Sequence, residues 1–514
     1  MSANEDVPWY SGPTDTQPFI LAKLITSNDK QAPPLYTTST FPWTTKSLET
    51  LWDRGLFDNP EWVEKWKSTV RQWSATIAAG SDGRLYIFPK LASSKPAIVM
   101  IMDAERKVNV DRKVHCCAWA LNKDAPTDPL LIVAASSLIF ILDARTKKLI
   151  GRIRGHGSDI TSIAVHPYHP YIFCTTSKDQ TTRIYDLSLP ARQKPNNIHW
   201  PPSEAPSLAG PAFGLQLSER EGDGCGCCVG VLVGGRSGGH EAAVLGAAFH
   251  PTYPLVATCG MDRAVKIWRI PPLEADSFAR EDKPIFSSEL IHRARALSIA
   301  WLSQDVLMSH SAPAWMRKVG DGEEPYEYFQ EHGTIVVWRW LGFDRFFPPD
   351  KPFQKVVRGV ASDYRGSDSF KIISCYSLPM NVLKLRVYRS LAHDPIIVIP
   401  MGNTVRILNV MHFKGREPPA FPTNDEMVEL TKRMRLSVPE GDGDNENGNR
   451  IPQPDARPPR PLLETVKGWE LPLSQTDGPI DIQNCEVACQ GRVIVGVGIK
   501  GTMVVWKLRP SQGE

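Results

Sequence analysis

The sequence predicts an all-β protein built from seven repeated units of short antiparallel strands. Three observations carry that prediction: a six-residue spacing that recurs along the chain, an apolar alternating run ahead of each copy, and a near absence of helical periodicity. The spacing runs from a tight turn to the last inward position of a β-rich stretch. It joins Asp82 to Phe88 in ATIAAGSDGRLYIF, Ser136 to Leu142 in VAASSLIFIL, Asp179 to Tyr185 in TTSKDQTTRIYDL and Asp262 to Trp268 in CGMDRAVKIWRI. It returns from His332 to Trp338, from Asn403 to Asn409 and from Lys500 to Trp506.

The runs ahead of the copies, such as VHCCAWAL, ITSIAVH, VLGAAFH, LSIAWL, VLKLRV and IQNCEV, alternate as half-buried strands do. Two units share a turn: residues 166–170 and 250–254 both place His-Pro-x-x-Pro between the first two strands. The last inward positions are separated by 54, 43, 83, 70, 71 and 97 residues, where a plain unit of this kind needs roughly 40 to 45. Several units therefore carry insertions. Residues 190–239 are rich in Pro, Ser and Gly, and 437–460 offer almost nothing apolar to bury, so both are expected as loops or disordered segments.

Composition narrows the function classes. The 514 residues are 42% hydrophobic, enough for a sizeable core, and 59 basic against 56 acidic residues leave a net charge of +3. No strong field draws the whole molecule to nucleic acid or to a membrane surface, and neither is expected as a partner. The N-terminal MSANEDVPWYSGPTDTQPF has no basic segment leading into an apolar one, and no apolar run reaches 18 residues, so a soluble intracellular protein is expected. Its ten cysteines are scattered or crowded, as at Cys225, Cys227 and Cys228, with no paired C-x-x-C spacing. No metal, no disulfide and no cofactor is expected.

Gly155-His156 and Gly239-His240 place their histidines 23 and 22 residues ahead of the turn residues Asp179 and Asp262, and Tyr185 and Trp268 close the Gly-His to Trp-Asp pattern of a β-propeller blade. The fold class that follows is a seven-bladed WD40 β-propeller with inserted loops. In such a blade the histidine, a hydroxyl from the neighbouring strand, the aspartate and the Trp or Tyr satisfy one another in a buried hydrogen-bond chain. A Ser-His-Asp hydrolase needs one exposed nucleophile rather than the same arrangement in two blades, so these residues read as framework and no catalytic residue is expected. The H-x-x-H of His166 and His169 lacks a nearby carboxylate or thiolate cluster and reads as a turn rather than a metal site. Lys432, Arg433 and Arg435 fall short of a basic address signal, and no phosphate-cradling glycine motif is present.

The runs GHGSDITSIAVHPYHPYIFCTTSKDQTTRIYDL, GHEAAVLGAAFHPTYPLVATCGMDRAVKIWRI and IHRARALSIAWL resemble the WD40 subunit of Polycomb repressive complex 2, the extra sex combs/embryonic ectoderm development family. The resemblance extends discontinuously over about residues 30–508, is strongest over 114–302 and fades in the last three blades. It marks the chain as a divergent member. It divides the chain into a partly extended N-terminal segment closing the propeller (1–70), blades one to six (71–411) with the insert at 190–239, a disordered acidic and Pro-rich insert (412–463), and blade seven (464–510).

The resemblance implies a non-enzymatic chromatin scaffold in the nucleus. Its partners would be an Enhancer of zeste-like SET-domain methyltransferase, a helix of which one propeller face grips, and other Polycomb subunits, for methylation of histone H3 lysine 27 and gene silencing. The family also carries an aromatic cage for trimethyl-lysine, whose ring faces attract a quaternary ammonium. Residue by residue, PPLYTTSTFPW offers Tyr36, with Trp43 further on, and VHCCAW puts His115 where the family has a tyrosine. Where the family has an adjacent Trp-Tyr, NVLKLRV supplies Leu383 and Lys384; only a shifted register would bring in Tyr376 or Tyr388. The cage is therefore expected to be degraded, with the histone H3 tail at most a weak ligand. The alternative function is a WD40 adaptor of another complex, such as a ubiquitin-ligase substrate receptor.

Overall fold

Tight turns with one residue in the left-handed region punctuate the chain where the six-residue spacing begins. Gly83, Ser136, Gln180, Arg263, Gly402 and Lys500 all have φ between 52° and 72°. A preceding aspartate at 82, 179 and 262 favours such a turn because its carboxylate can bond the backbone just beyond it. These turns launch the strands that carry Phe88, Leu142, Tyr185, Trp268, Asn409 and Trp506, and Trp338 holds the same place without a left-handed turn; none of the seven is more than 6% exposed.

The computed structural model describes residues 8–12, 15, 17–26, 32–51, 59–91, 98–101, 113–193, 221–234, 238–273, 278–317, 328–348, 366–378, 381–390, 392–415, 466–473 and 480–510. The chain opens with β1 (Phe19–Ile25) and continues into β2 (Thr37–Thr40), helix α1 (Pro60–Trp73), β3 (Ile77–Gly80), β4 (Arg84–Phe88) and β5 (Ile98–Ile101). Next come β6 (Val114–Leu121), β7 (Pro129–Ala135), β8 (Leu138–Asp143) and β9 (Lys148–Arg154), then β10 (Ile160–Val165), β11 (Ile172–Ser177), β12 (Thr182–Pro190) and β13 (Gly222–Leu232). They are followed by β14 (Val244–Phe249), β15 (Leu255–Gly260), β16 (Val265–Arg269), β17 (Ala279–Glu281), β18 (Phe286–Ser288), β19 (Ala296–Trp301) and β20 (Val306–Ser311). After β21 (Ala314–Arg317) and β22 (Tyr328–Glu331) come β23 (Thr334–Trp340), α2 (Phe343–Phe346) and β24 (Phe370–Ser377). The last strands are β25 (Val387–Ser390), β26 (His393–Met401), β27 (Thr404–Asn409), β28 (Trp469–Pro472), β29 (Ile482–Ala488), β30 (Val493–Gly498) and β31 (Met503–Leu508).

Among the described residues these strands form five four-stranded sheets, β2–β5, β14–β15–β16–β18, β19–β20–β23–β24, β25–β28 and β1–β31–β30–β29, all antiparallel. A nine-stranded sheet runs β10–β11–β12–β13–β9–β8–β7–β6 with β17 beside β13, and β21–β22 make a separate hairpin. The first strands stand side by side around a central channel: β2 meets β6, β6 meets β10, β10 meets β14 and β14 meets β19. The Leu385 amide donates to Ser298 on β19 (2.9 Å), and the Tyr388 hydroxyl donates to the Cys485 carbonyl on β29 (2.8 Å), so the β25 region bridges the rest of the ring. The strand β29 then meets β2. Apolar clusters fill the wedges between neighbouring sheets, with Trp119, Trp338 and Trp506 buried in three of them. Burying one such side chain fully stabilises the fold by roughly 1.5–3 kcal/mol.

Three expectations about organisation need correction. Residues 1–70 are more than a closing segment. Only β1 does that, pairing with β31 from Phe19↔Leu508 to Ile25↔Met503, while β2 is the inner strand of the first blade. The helix α1 was invisible to a search for strand alternation, yet its signals are local. Asn59 accepts the Glu61 amide (2.9 Å), Pro60 opens the first turn, and Trp66, Val70 and Trp73 recur on one buried face. Finally, the Gly-Cys run within 190–239 is the strand β13 rather than a loop. At Gly222 and Gly224 a Cβ would strike the Arg152 and Ile150 carbonyl oxygens of β9, so the glycines permit close backbone pairing between β13 and β9. The disordered insert expected at 412–463 lies outside the described residues from 416 onward.

Candidate functional site

The two Gly-His and Asp pairs meet inside their sheets. His240 Nδ1 lies 2.9 Å from Asp262, and Nε2 lies 2.8 Å from the Thr258 hydroxyl. Trp268 Nε1 donates to the same hydroxyl at 2.8 Å. An indole N–H can only donate, so Thr258 passes its own proton to Nε2, and Nδ1–H is left to donate to the carboxylate. The chain runs one way, Trp268 to Thr258 to His240 to Asp262. Asp262 also accepts the amides of Glu241 (3.0 Å) and Ala264 (3.2 Å), which ties the strand order to the turn. Burial pushes the His240 pKa down against the pull of Asp262. Burial opposes the Asp262 charge too, but the bond to His240, its charge and the Glu241 amide outweigh it and hold the carboxyl below its usual range.

The same core recurs around His156, which lies 2.6 Å from Thr175 and 2.9 Å from Asp179. Here the fourth member differs from expectation. The Tyr185 hydroxyl lies near Thr175 without hydrogen-bonding geometry, and its ring stacks on Phe173 (4.9 Å, 12°). A phenol carries its polar atom at the far end of the ring, whereas the indole N–H sits on the ring side that faces the threonine. A third copy, missed in the sequence because no Gly-His marks it, joins Trp338 to Ser309 (3.0 Å) and Ser309 to His292 (2.7 Å). None of these hydroxyls is exposed, since Thr175, Thr258 and Ser309 are all 0% accessible.

His166 and His250 each cap a turn. The His166 Nδ1 accepts the amides of Tyr168 (3.2 Å) and His169 (3.1 Å), and the His250 Nδ1 those of Thr252 and Tyr253 (3.0 Å each). Protonation would remove that acceptor. Burial pushes the His166 pKa down to about 3, and burial likewise takes that of His310, which is 0% exposed, down to about 3. A folded-state pKa below the unfolded value of 6.5 means that the unfolded chain takes up the proton first. Stability is therefore full above pH about 6.5 and falls as the pH drops toward about 3. His310 alone should contribute a slope of about 1.4 kcal/mol per pH unit near pH 5. Urea midpoints measured from pH 7.5 to 4.5 test this, and a His310→Gln variant that leaves the slope unchanged would contradict it.

At one end of the channel stand the candidate cage residues. The rings of Tyr36 and His115 are 5.8 Å apart, inclined at 45°, and Lys113 Nζ lies 5.6 Å from the Tyr36 ring. His115 sits at a bulge one residue into β6, where the register with β7 slips between Val114 and Cys116. Equivalent slips follow Ile160, Val244, Ala296 and Ile482 in the other inner strands. Bulges re-aim side chains, and here they set the rim residues of the channel. Trp43 belongs elsewhere, edge-on to Phe41 at 5.2 Å in the first blade's core. Leu383 is 75% exposed, whereas Lys384 points inward and brings Nζ to 3.5 Å from the Thr161 carbonyl. Thr161 holds the bulge position in β10 that His115 holds in β6, so the ammonium lies at the level of the Tyr36–His115 pair. Tyr376 is engaged with the Lys414 carbonyl (3.0 Å) and Phe413, and Tyr388 with Cys485 and Glu486, so neither presents a free ring to this site.

Deeper in the channel lies a cluster the sequence did not announce. Arg386 pairs with Glu486 at 2.5 Å, and the Tyr388 hydroxyl lies 3.3 Å from the same carboxylate. Glu486 raises the Arg386 pKa further and keeps its guanidinium charged. The sequence signal was alternation: in LKLRVY the residues 384, 386 and 388 alternate as the chain runs into β25, and all three line the channel cavity.

Comparison with known proteins places this geometry. The WD domain, G-beta repeat family matches residues 147–186 and 226–269, the two segments that hold the His156 and His240 networks. The chain is 28% identical over 189 residues to the Polycomb group protein FIE1 of Oryza sativa, covering 36% of this chain and 40% of that protein. It is 27% identical over 241 residues to the Polycomb protein EED of Chaetomium thermophilum, covering 46% and 33%. The Polycomb protein esc of Drosophila melanogaster is 22% identical over 217 residues, covering 38% and 42%. The chain is a WD40-repeat relative of the Polycomb EED, FIE and esc proteins.

The sequence matches of this Polycomb relative span only a third to two-fifths of the length of those proteins. Its fold reaches further. A chain in the Chaetomium thermophilum Polycomb Repressive Complex 2 bound to GSK126 superposes with a TM-score of 0.57 at 16% identity, covering 95% of this chain and 98% of that one. A chain in the structure of that organism's complex with H3K27me3 and H3K27M gives 0.58 at 15% identity, covering 95% and 98%. The likeness in fold thus extends over nearly the whole chain, whereas the WD-repeat match is confined to the two segments that hold the His156 and His240 networks.

Proposed function

We propose that the chain is a non-catalytic scaffold subunit of a Polycomb-type histone H3 lysine 27 methyltransferase complex, acting in the nucleus in gene silencing. It would hold and support an Enhancer of zeste-like SET-domain subunit together with other Polycomb subunits. The observation that carries the reading is the superposition on chains of Polycomb Repressive Complex 2 over 95% of this chain, joined to relatives named Polycomb in rice, a fungus and a fly. The propeller has seven blades in this reading, the nine-stranded sheet counting as two blades stitched together by β13. The His–Asp networks support a scaffold because each is buried and satisfied inside one blade. Pull-down of the tagged protein from nuclear extract tests the proposal. An Enhancer of zeste-like SET protein should be recovered, and a cullin linker in its place would favour a ubiquitin-ligase receptor.

Within that role the trimethyl-lysine cage is degraded. Tyr36 and His115 are the remnants, Lys113 already occupies the Tyr36 ring, and Leu383 and Lys384 stand where aromatic walls are needed. Each ring contributes about 0.5 to 2 kcal/mol to holding a quaternary ammonium. Loss of two weakens binding by roughly 1 to 4 kcal/mol, about 5-fold to nearly a thousand-fold. The inward ammonium of Lys384 adds like-charge repulsion. Calorimetry with a trimethylated histone H3 tail peptide should therefore give no low-micromolar binding. Such binding, abolished by Tyr36→Ala, would overturn the reading.

A further inference from the structure

The channel opens into a cavity of about 420 Å³ lined by the inner strands β10, β14 and β19 and by residues 384–389. Its charges are unequal. Lys384, Arg386 and Arg389 line it, and Glu486 is the one carboxylate among the lining residues. That carboxylate is already committed to Arg386. Among the described residues no carboxylate makes an ion-pair contact with Lys384; Glu486 acts on it only through space, and the hydrogen bond of its ammonium is the long 3.5 Å contact to the Thr161 carbonyl. Burial pushes the Lys384 pKa down and Arg386 adds to the effect, as follows for an ammonium set among protein groups with no counter-charge in contact. A half-buried cation that faces a water-accessible cavity without a contacting counter-charge is costly to keep, and an anion entering that cavity relieves the cost.

We propose that this cavity is an oxyanion site, in which a carboxylate or phosphate group bonds to the Lys384 ammonium, with Arg389 at its lining supplying further positive field. The inference stands on the cavity and its charges and does not depend on the Polycomb reading. An ammonium-to-oxyanion bond is charge-assisted and strengthens where water is scarce. The channel that in the family takes a cation is thereby reversed in sign. The site would accept the acidic end of a peptide or a phosphorylated side chain, two sources of one chemistry.

Calorimetric titration of the full chain with inorganic phosphate, and separately with a glutamate-rich hexapeptide, tests the site at constant ionic strength. Saturable binding of either is expected, weakened by roughly tenfold or more in Lys384→Met and unchanged in the surface control Lys67→Met. Phosphate binding alone identifies a phosphate site, and peptide binding alone a carboxylate site. Without anion, Lys384→Met should melt at the same or a higher temperature than the parent, because it removes an unpaired charge. Absence of saturable binding to both probes, equal binding by Lys384→Met, or a lower melting temperature for that variant would each overturn the proposal.

Discussion

Asp262→Ala is expected to lower the folding stability by about 3–5 kcal/mol, seen as a fall in urea midpoint at unchanged slope. The carboxylate is the terminal acceptor of the chain from Trp268, and it also takes the amides of Glu241 and Ala264. Removing it orphans three donors at once, one of them on His240, which is 2% exposed. Burial has already depressed the His240 pKa, so the ring cannot recover by taking a proton near neutral pH. A loss under about 1 kcal/mol would show that the left-handed turn at Arg263 holds without its carboxylate anchor.

Arg386→Met should cost a similar amount, about 3–5 kcal/mol, because it strands the Glu486 carboxylate in a site where the residue is 8% exposed. The Tyr388 hydroxyl alone, 3.3 Å from the carboxylate, cannot replace a full counter-charge. Replacing both partners, as in Arg386→Met with Glu486→Met, should restore most of the loss, since two apolar side chains of similar size leave no charge to desolvate. A double-mutant cycle of urea midpoints measures the coupling. Additive losses would mean that each charge is satisfied independently of the other.

The sequence carried the blades well because they rest on local, repeated chemistry. A turn aspartate, a left-handed residue after it and a bulky residue six positions on are read directly, and so is Gly-His where it occurs. The blade of His292 shows the limit, as its network survives without glycine before the histidine or aspartate in the turn. The strand β13 was hidden for another reason: its glycines mimic a loop, and only contact with the β9 backbone explains them. The helix α1 shared no period with its surroundings. At the channel, the nearness of Tyr36 and His115 followed from the sequence reading, but the pairing of Arg386 with Glu486 did not. Those two lie on different blades, and nothing in a linear sequence links them.

The pairing of β1 with β31 also has a consequence in time. Phe19 leaves the ribosome 489 residues ahead of its partner Leu508. At about 5–20 residues per second the wait is roughly half a minute to a minute and a half. For that interval β1 is a strand without a neighbour, and the outer sheet of the ring presents an open edge to anything that pairs with strands. In the finished ring β1 has β31 on one side and is the outer strand on the other, so synthesis is the period in which both of its edges stand open.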